Sequence, residues 1–239
     1  MIDPRGTDVM VLVGGLGTRL QSVVSDRPKA LASINGRPFL CYLFKQIEGA
    51  GFRRVILCTG FRGDQIEDAL SSMAGRLEFV ISHEDEPLGT AGALRLGVKH
   101  VRSPDVLVLN GDSYIDVDLG AFLNWQGAST FDIRLVATAV ADAGRFGTLD
   151  IDENGAISAF REKRGLPELG WINAGVYTIP KEKIFDIPTG RAVSLEKDIF
   201  SEWTRQRAMG AYRVSGKFID IGTPESYSAA SLFFDGKVV

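Results

Sequence analysis

Cysteine, histidine and long apolar runs are all scarce in this chain. Its 239 residues include two cysteines, Cys41 and Cys58, and two histidines, His83 and His100. Two cysteines supply no disulfide framework and no zinc-ligand spacing. Cys58 ends the apolar run VILC and reads as a small core residue. Neither histidine has a partner at triad or metal spacing. No window approaches the ~20 apolar residues that a membrane span needs, so no membrane partner is expected. The opening MIDPRGTDVM carries an early acid and no apolar stretch, unlike a signal peptide, and the chain is read as cytoplasmic. Net positive charge is missing too. A formal charge of −3 provides no global field for nucleic acid, so any attraction for phosphate must be local. Trp125, Trp171 and Trp203 lack the spacing of a base-stacking platform and read as core or rim packing. Linkers, repeats and low-complexity tracts are absent as well, and one domain over residues 1–239 is expected.

What is present is an alternation of apolar runs and helical spacing. Val9 to Val13 reads as a strand buried on both faces. Pro38 to Ala50 reads as a helix, with Pro at its start and Gly51 at its stop. Arg54 to Cys58, Leu77 to Ser82 and Asp105 to Leu109 read as further strands. Gly63 to Ser72 and Thr90 to Val98 read as the helices between them. That rhythm predicts a mostly parallel sheet with helices on both faces, an α/β Rossmann-like three-layer sandwich. The second half changes pace. Ile133 to Val140, Gly147 to Ile151, Ile157 to Arg161 and Trp171 to Ile179 read as strands, making the central sheet mixed. Asn154-Gly155 reads as the turn of a hairpin. Leu195 to Arg205 and Pro224 to Phe233 read as closing helices.

The first strand runs into VLVGGLGTRLQSVVSDRPKALASING, Val11 to Gly36. A P-loop needs Gly-Lys-Ser/Thr, but Gly17 is followed by Thr18-Arg19. A dinucleotide fingerprint needs a third glycine, where Leu20 stands, and an acid after the second strand, where Thr59-Gly60 stands. The stretch suits a polyphosphate in another way. Gly14, Gly15 and Gly17 let backbone N–H groups approach phosphate closely. Arg19 offers a fork of donors, and Lys29 a compact charge. GGLGTRL…RPK resembles the signature of the sugar-1-phosphate nucleotidylyltransferases, which join a nucleotide to a sugar phosphate and release pyrophosphate. The usual form has Pro after the lysine and often Pro-x-Thr after the leucine. Here Ala30 follows Lys29, and Gln21-Ser22-Val23 follows Leu20.

Further segments extend the resemblance over nearly the whole chain. EPLGTAGAL, Glu86 to Leu94, reads as a plain helix start. In the family it lies against the nucleobase, with Gly89 and Thr90 at the helix N-terminus. Glu84 stands where many uridine-using relatives carry Gln. A carboxylate only accepts hydrogen bonds and suits the adjacent N1–H and N2 amino donors of guanine. In VLVLNGDSY, Asp112 follows a buried strand at the edge where open α/β sheets bind ligands. A lone Asp after Gly is usually a turn residue. The resemblance makes Asp112 a metal and nucleotide ligand, and makes Asp220 of FIDIGTPESY the second ligand of Mg²⁺. Charge runs such as that in FREKRG are most often solvated turns. On the resemblance Glu162, Lys163, Asn173 of WINAGVY and Gly147 of RFGTLDID face the sugar phosphate. Arg19 and Lys29 are implied as catalytic, with Thr18 beside them on the nucleotide.

The resemblance implies the nucleotide-diphospho-sugar transferase fold, GTP and a sugar 1-phosphate as partners, and compatibility with a homo-oligomer. The segments look most like heptose 1-phosphate guanylyltransferases serving bacterial surface polysaccharides, with mannose 1-phosphate enzymes close behind. Uridylyl or cytidylyl transfer is the alternative activity, and a catalytically silent nucleotide-sugar-binding regulatory subunit the non-enzyme alternative. The chain ends soon after the helix that follows Asp220, so a C-terminal β-helix or acetyltransferase domain is not expected.

Overall fold

The computed structural model describes residues 1–73, 75–127, 131–161 and 168–236. The chain opens with β1 (Asp8–Leu12), a small hairpin of β2 (Ser33–Ile34) and β3 (Arg37–Pro38), and α1 (Phe39–Gly49). Then come β4 (Arg54–Thr59), α2 (Gly63–Met73), β5 (Glu78–His83), α3 (Gly89–Gly97) and β6 (Asp105–Asn110). The short β7 (Ser113–Ile115) and α4 (Leu119–Leu123) lead to β8 (Ile133–Val140), β9 (Thr148–Ile151), β10 (Ile157–Arg161) and β11 (Gly170–Pro180). The rest comprises α5 (Lys181–Phe185), α6 (Phe200–Arg205), β12 (Met209–Val214), β13 (Phe218–Asp220) and α7 (Pro224–Phe233).

Seven strands form the central sheet in the order β12-β8-β11-β6-β1-β4-β5. All run the same way except β11, which pairs antiparallel with both β6 and β8. The apolar runs are continuous because both faces are covered. Val9 and Val11 join one core with Leu40, Leu43 and Ile47 of α1. Met10 points the other way, into a core with Leu94 of α3 and Phe200 of α6. The three-layer, mostly parallel reading therefore holds.

Three local readings change. The helix expected over Leu195 to Arg205 begins as a π-helical turn, Leu195–Ile199, in which Ile199 N–H reaches back to the Ser194 carbonyl at 3.3 Å. The hairpin turn is centred on Glu153–Asn154 rather than Asn154-Gly155. The Asp152 carboxylate accepts from Asn154 N–H and Ala156 N–H, each at 2.9 Å, so only Gly155 takes a left-handed φ, +86°. Gly147 lies just ahead of β9 rather than within it. The strands β2, β3, β7, β12 and β13 are additional to the sequence reading.

Candidate active site

A cavity of about 960 Å³ opens where β1 and β6 end and β11 begins. In a largely parallel sheet this is the ligand-binding edge, since β11 alone brings its amino end there. Gly14, Gly15, Gly17, Arg19, Lys29, Glu84, Gly89, Thr90, Asp112, Gly147, Asn173 and Asp220 all line it, so the expected residues converge. Thr18 is exposed and does not. The turn closed by Leu20 N–H on the Gly17 carbonyl (2.9 Å) buries Leu20 beneath the loop and leaves Thr18 on its outer side. Glu162 and Lys163 lie outside the described residues.

The glycine loop leaves β1 and turns at Gly17, whose φ is +60° and whose missing Cβ would lie 3.3 Å from Lys29 Cβ. Leu20 and Val24, both buried, pin the loop to the core. Nothing lies within 4 Å of a side chain at Gly15, which faces open space. Arg19 reaches across the cavity, with its Nη2 3.5 Å from the point where a Gly222 Cβ would stand. The Lys29 ammonium forms an ion pair with the Asp112 carboxylate. The two aspartates are brought together by the β7–β13 ribbon, where Ser113 pairs with Asp220 and Ile221 N–H donates to the Asp112 carbonyl at 2.9 Å. Asp220 Oδ2 accepts Gly222 N–H at 2.9 Å, and Thr223 then caps α7.

On one side of the cavity, Glu84 Oε2 accepts Leu88 N–H at 3.2 Å. Its Oε1 lies 2.7 Å from where a Gly60 Cβ would be, so this carboxylate depends on glycine at position 60. Burial raises the Glu84 carboxyl above its usual range, and the Leu88 N–H opposes that rise. Gly89 has a structural reason of its own. A side chain there would stand 2.5 Å from the Val193 carbonyl, where the second half of the chain crosses the start of α3. Thr90 Oγ1 accepts Leu195 N–H at 2.8 Å at the same crossing.

On the opposite side, β11 carries a bulge between Asn173 and Tyr177. Asn173 Oδ1 accepts Gly175 N–H at 2.9 Å, and its Nδ2 donates to Tyr177 Oη at 2.8 Å and to Glu196 Oε1 at 3.3 Å. Burial, with the Glu196 charge second, holds the Tyr177 phenol well above its usual range and keeps it neutral.

Residues 8–236 match the nucleotidyl transferase family. The chain belongs to this family. Among relatives, the D-glycero-alpha-D-manno-heptose 1-phosphate guanylyltransferase of Aneurinibacillus thermoaerophilus is 34% identical over 93% of this chain and 96% of its own length. The mannose-1-phosphate guanylyltransferase catalytic subunit beta of Drosophila melanogaster is also 34% identical, and this chain spans 61% of its length. The crystal structure of HddC from Yersinia pseudotuberculosis superposes with a TM-score of 0.86 at 36% identity, over 95% of this chain and 99% of that one. The same protein complexed with GMP-PN gives a TM-score of 0.83 at the same identity and coverage.

In this nucleotidyl transferase several lining residues escape sequence reasoning. Arg145 and Lys197 add cations, Glu196 adds a carboxylate and Tyr177 a neutral hydroxyl. Arg145 belongs to RFGTLDID and Tyr177 to WINAGVY, segments whose other residues carry the signal. Glu196 and Lys197 fall in the segment read simply as a helix, and they line the cavity from the π-helical turn that opens it.

Proposed function

We propose that this nucleotidyl transferase moves GMP from GTP to a sugar 1-phosphate, with heptose 1-phosphate the favoured acceptor, and releases pyrophosphate. One observation carries the reading. Arg19, Lys29, Asp112 and Asp220 gather around a single cavity in a chain 34% identical to a guanylyltransferase over 93% of its length.

The chemistry is an in-line displacement. An oxygen of the sugar 1-phosphate forms a bond to the α-phosphorus of GTP. The bond from that phosphorus to its bridging oxygen breaks, and pyrophosphate leaves with the electron pair. No covalent enzyme intermediate is required, so catalysis is positioning plus stabilisation of charge on phosphate oxygens. The backbone around Gly15, open to the cavity, takes the pyrophosphate end. Arg19 and Lys29 donate to the phosphates, Lys29 leaving Asp112 to do so. The Glu84 carboxylate accepts from guanine N1–H and N2, and Asn173 and Gly147 line the sugar side.

Asp112 and Asp220 are the residues that would hold Mg²⁺. Two hard carboxylates facing a phosphate site, with no group of three His, Cys, Asp or Glu among the described residues, suit an ion completed by substrate oxygens and water. When bound, the ion supplies charge neutralisation on those phosphate oxygens.

Mannose 1-phosphate is the second reading, since the Drosophila relative is as similar as the heptose one. On either reading the product is a GDP-sugar made in the cytoplasm for polysaccharide assembly. The test is pyrophosphate release across GTP, UTP and CTP, each with heptose, mannose and glucose 1-phosphates and Mg²⁺. GTP with heptose 1-phosphate is expected to be fastest. A leading UTP or CTP reaction would overturn the base assignment, and no release in any mixture would favour a silent nucleotide-sugar binder.

A further inference from the structure

The phosphate loop returns from Leu20 to Lys29 through the exposed stretch Ser25-Asp26-Arg27. Between Leu20 and Lys29 only Val24 and Pro28 are buried, so apolar packing alone leaves the approach to Lys29 loosely held. The junction between β4 and α2 meets this loop at both of its limbs. Phe61 N–H donates to the Gly14 carbonyl at 3.3 Å, at the outgoing limb. Arg62 Nη1 donates to the Ser25 carbonyl at 2.7 Å, and Gln65 Nε2 to the Asp26 carbonyl at 3.3 Å, on the returning limb. Arg62 adopts φ +53°, a left-handed conformation that non-glycine residues avoid unless their surroundings enforce it. Its guanidinium also stands 5.1 Å from the centre of the Phe61 ring, which keeps the side chain extended over the loop. Arg62 does not line the cavity.

We propose that Arg62 is a positioning residue, a strap from the β4–α2 junction to Ser25 that fixes the phosphate loop and thereby the placement of Arg19 and Lys29. The strap has a functional direction: it acts on the triphosphate side and leaves the acceptor side, built from β11 and the π-helical turn, untouched. The kinetic part of this inference rests on the guanylyl-transfer reading above; the mechanical part does not.

Two variants separate backbone from side chain. Arg62→Gly keeps the left-handed backbone at no steric cost and deletes the guanidinium. Arg62→Lys keeps a cationic donor for the Ser25 carbonyl. Each is assayed for kcat, for KM towards GTP and towards the sugar 1-phosphate, for Tm, and for the rate of tryptic cleavage at Arg19–Leu20, mapped by mass spectrometry. For Arg62→Gly the expected result is a fall in kcat/KM for GTP of about fivefold to tenfold, the scale of one lost hydrogen bond. The KM for the sugar 1-phosphate stays unchanged, and cleavage at Arg19 accelerates by a similar factor. Arg62→Lys restores both readouts. Unchanged cleavage together with unchanged GTP kinetics in Arg62→Gly would overturn the strap. So would equal losses for both substrates accompanied by a matching fall in Tm, because that pattern marks general destabilisation. If the wild-type protein turns over no GTP, the guanylyl reading fails, and the cleavage arm alone decides whether the strap exists.

Discussion

Replacing Lys29 with Met separates chemistry from stability, because the two expected magnitudes differ widely. Lys29 is paired with Asp112, and their side chains are 16% and 40% exposed. Water reaches the aspartate, so deleting the ammonium strands no charge in a dry interior. A solvent-screened pair of this kind contributes about 0–1 kcal/mol. For a domain of this size that corresponds to a Tm change of no more than ~4 °C. The effect on turnover has another scale. A cation aimed at charge that develops on the α-phosphate is a transition-state donor, and losing one such donor costs about 3–4 kcal/mol. The expected fall in kcat is therefore ~10²–10³-fold, since each 1.36 kcal/mol is a factor of about ten. Pyrophosphate release at saturating substrates gives kcat, and a thermal melt of the same preparation gives Tm. A Lys29→Met protein turning over within about threefold of wild type would refute the role given to Lys29. A Tm loss of more than ~10 °C would refute the reasoning differently, by making the residue a structural support.

Glu84→Gln is expected to narrow the preference for GTP over UTP by about tenfold, because a neutral amide loses the charge-assisted contact to guanine; an unchanged ratio would show that the base is read elsewhere. The same substitution has a pH signature. Burial raises the Glu84 carboxyl in the folded state, so wild-type stability declines as pH climbs from the ordinary glutamate range to the raised one. Melts should then show the Glu84→Gln protein gaining on wild type across that window and holding the gain at neutral pH, whereas a gain that shrinks with rising pH would contradict the assignment. Gly175→Ala forces a Cβ to 2.6 Å from Ser113 Oγ at φ +78°, and should cost ~2–4 kcal/mol in denaturant titration; an unchanged midpoint would show that the β11 bulge tolerates a side chain. Burial pushes the Cys58 thiol up to about 12, so a thiol reagent at pH 8 should modify Cys58 only on unfolding; rapid labelling in the native state would mean that the strand opens.

The sheet was legible wherever burial on both faces leaves an uninterrupted apolar run, as in β1, β4 and β6. It was less legible where pairing depends on distant chain. β7 and β13 have three residues each, and they exist because Ser113 meets Asp220 across more than a hundred residues of chain. No local periodicity encodes that meeting. β12 is an edge strand whose second half alternates partly covered Tyr212 and Val214 with exposed Arg213, so it lacks the continuous apolar run of the central strands. The site was legible where glycines and charges fall in one segment, as from Gly14 to Lys29. Thr18 misled because neighbours in a tight turn point to different sides. Glu196 and Lys197 were hidden because one wider helical turn decides where they face. Thr90 shows a further limit. Its place in the sequence suggested a ligand contact, and it does line the cavity, but nothing local showed that its hydroxyl also accepts a backbone N–H from the second half of the chain.

The antiparallel pairing of β11 with β6 has an architectural consequence. β6, β1, β4 and β5 come from the first 110 residues, and β12, β8 and β11 come from residue 133 onward. The β6–β11 contact is thus a seam in mid-sheet, and the reaction cavity straddles it. Either portion made without the other would bare a ladder of unsatisfied peptide groups flanked by apolar side chains, an invitation to aggregate. Mixed together, the two fragments would each hold the other's missing edge. The same hydrogen-bonded seam that completes the sheet also holds the two walls of the cavity against one another.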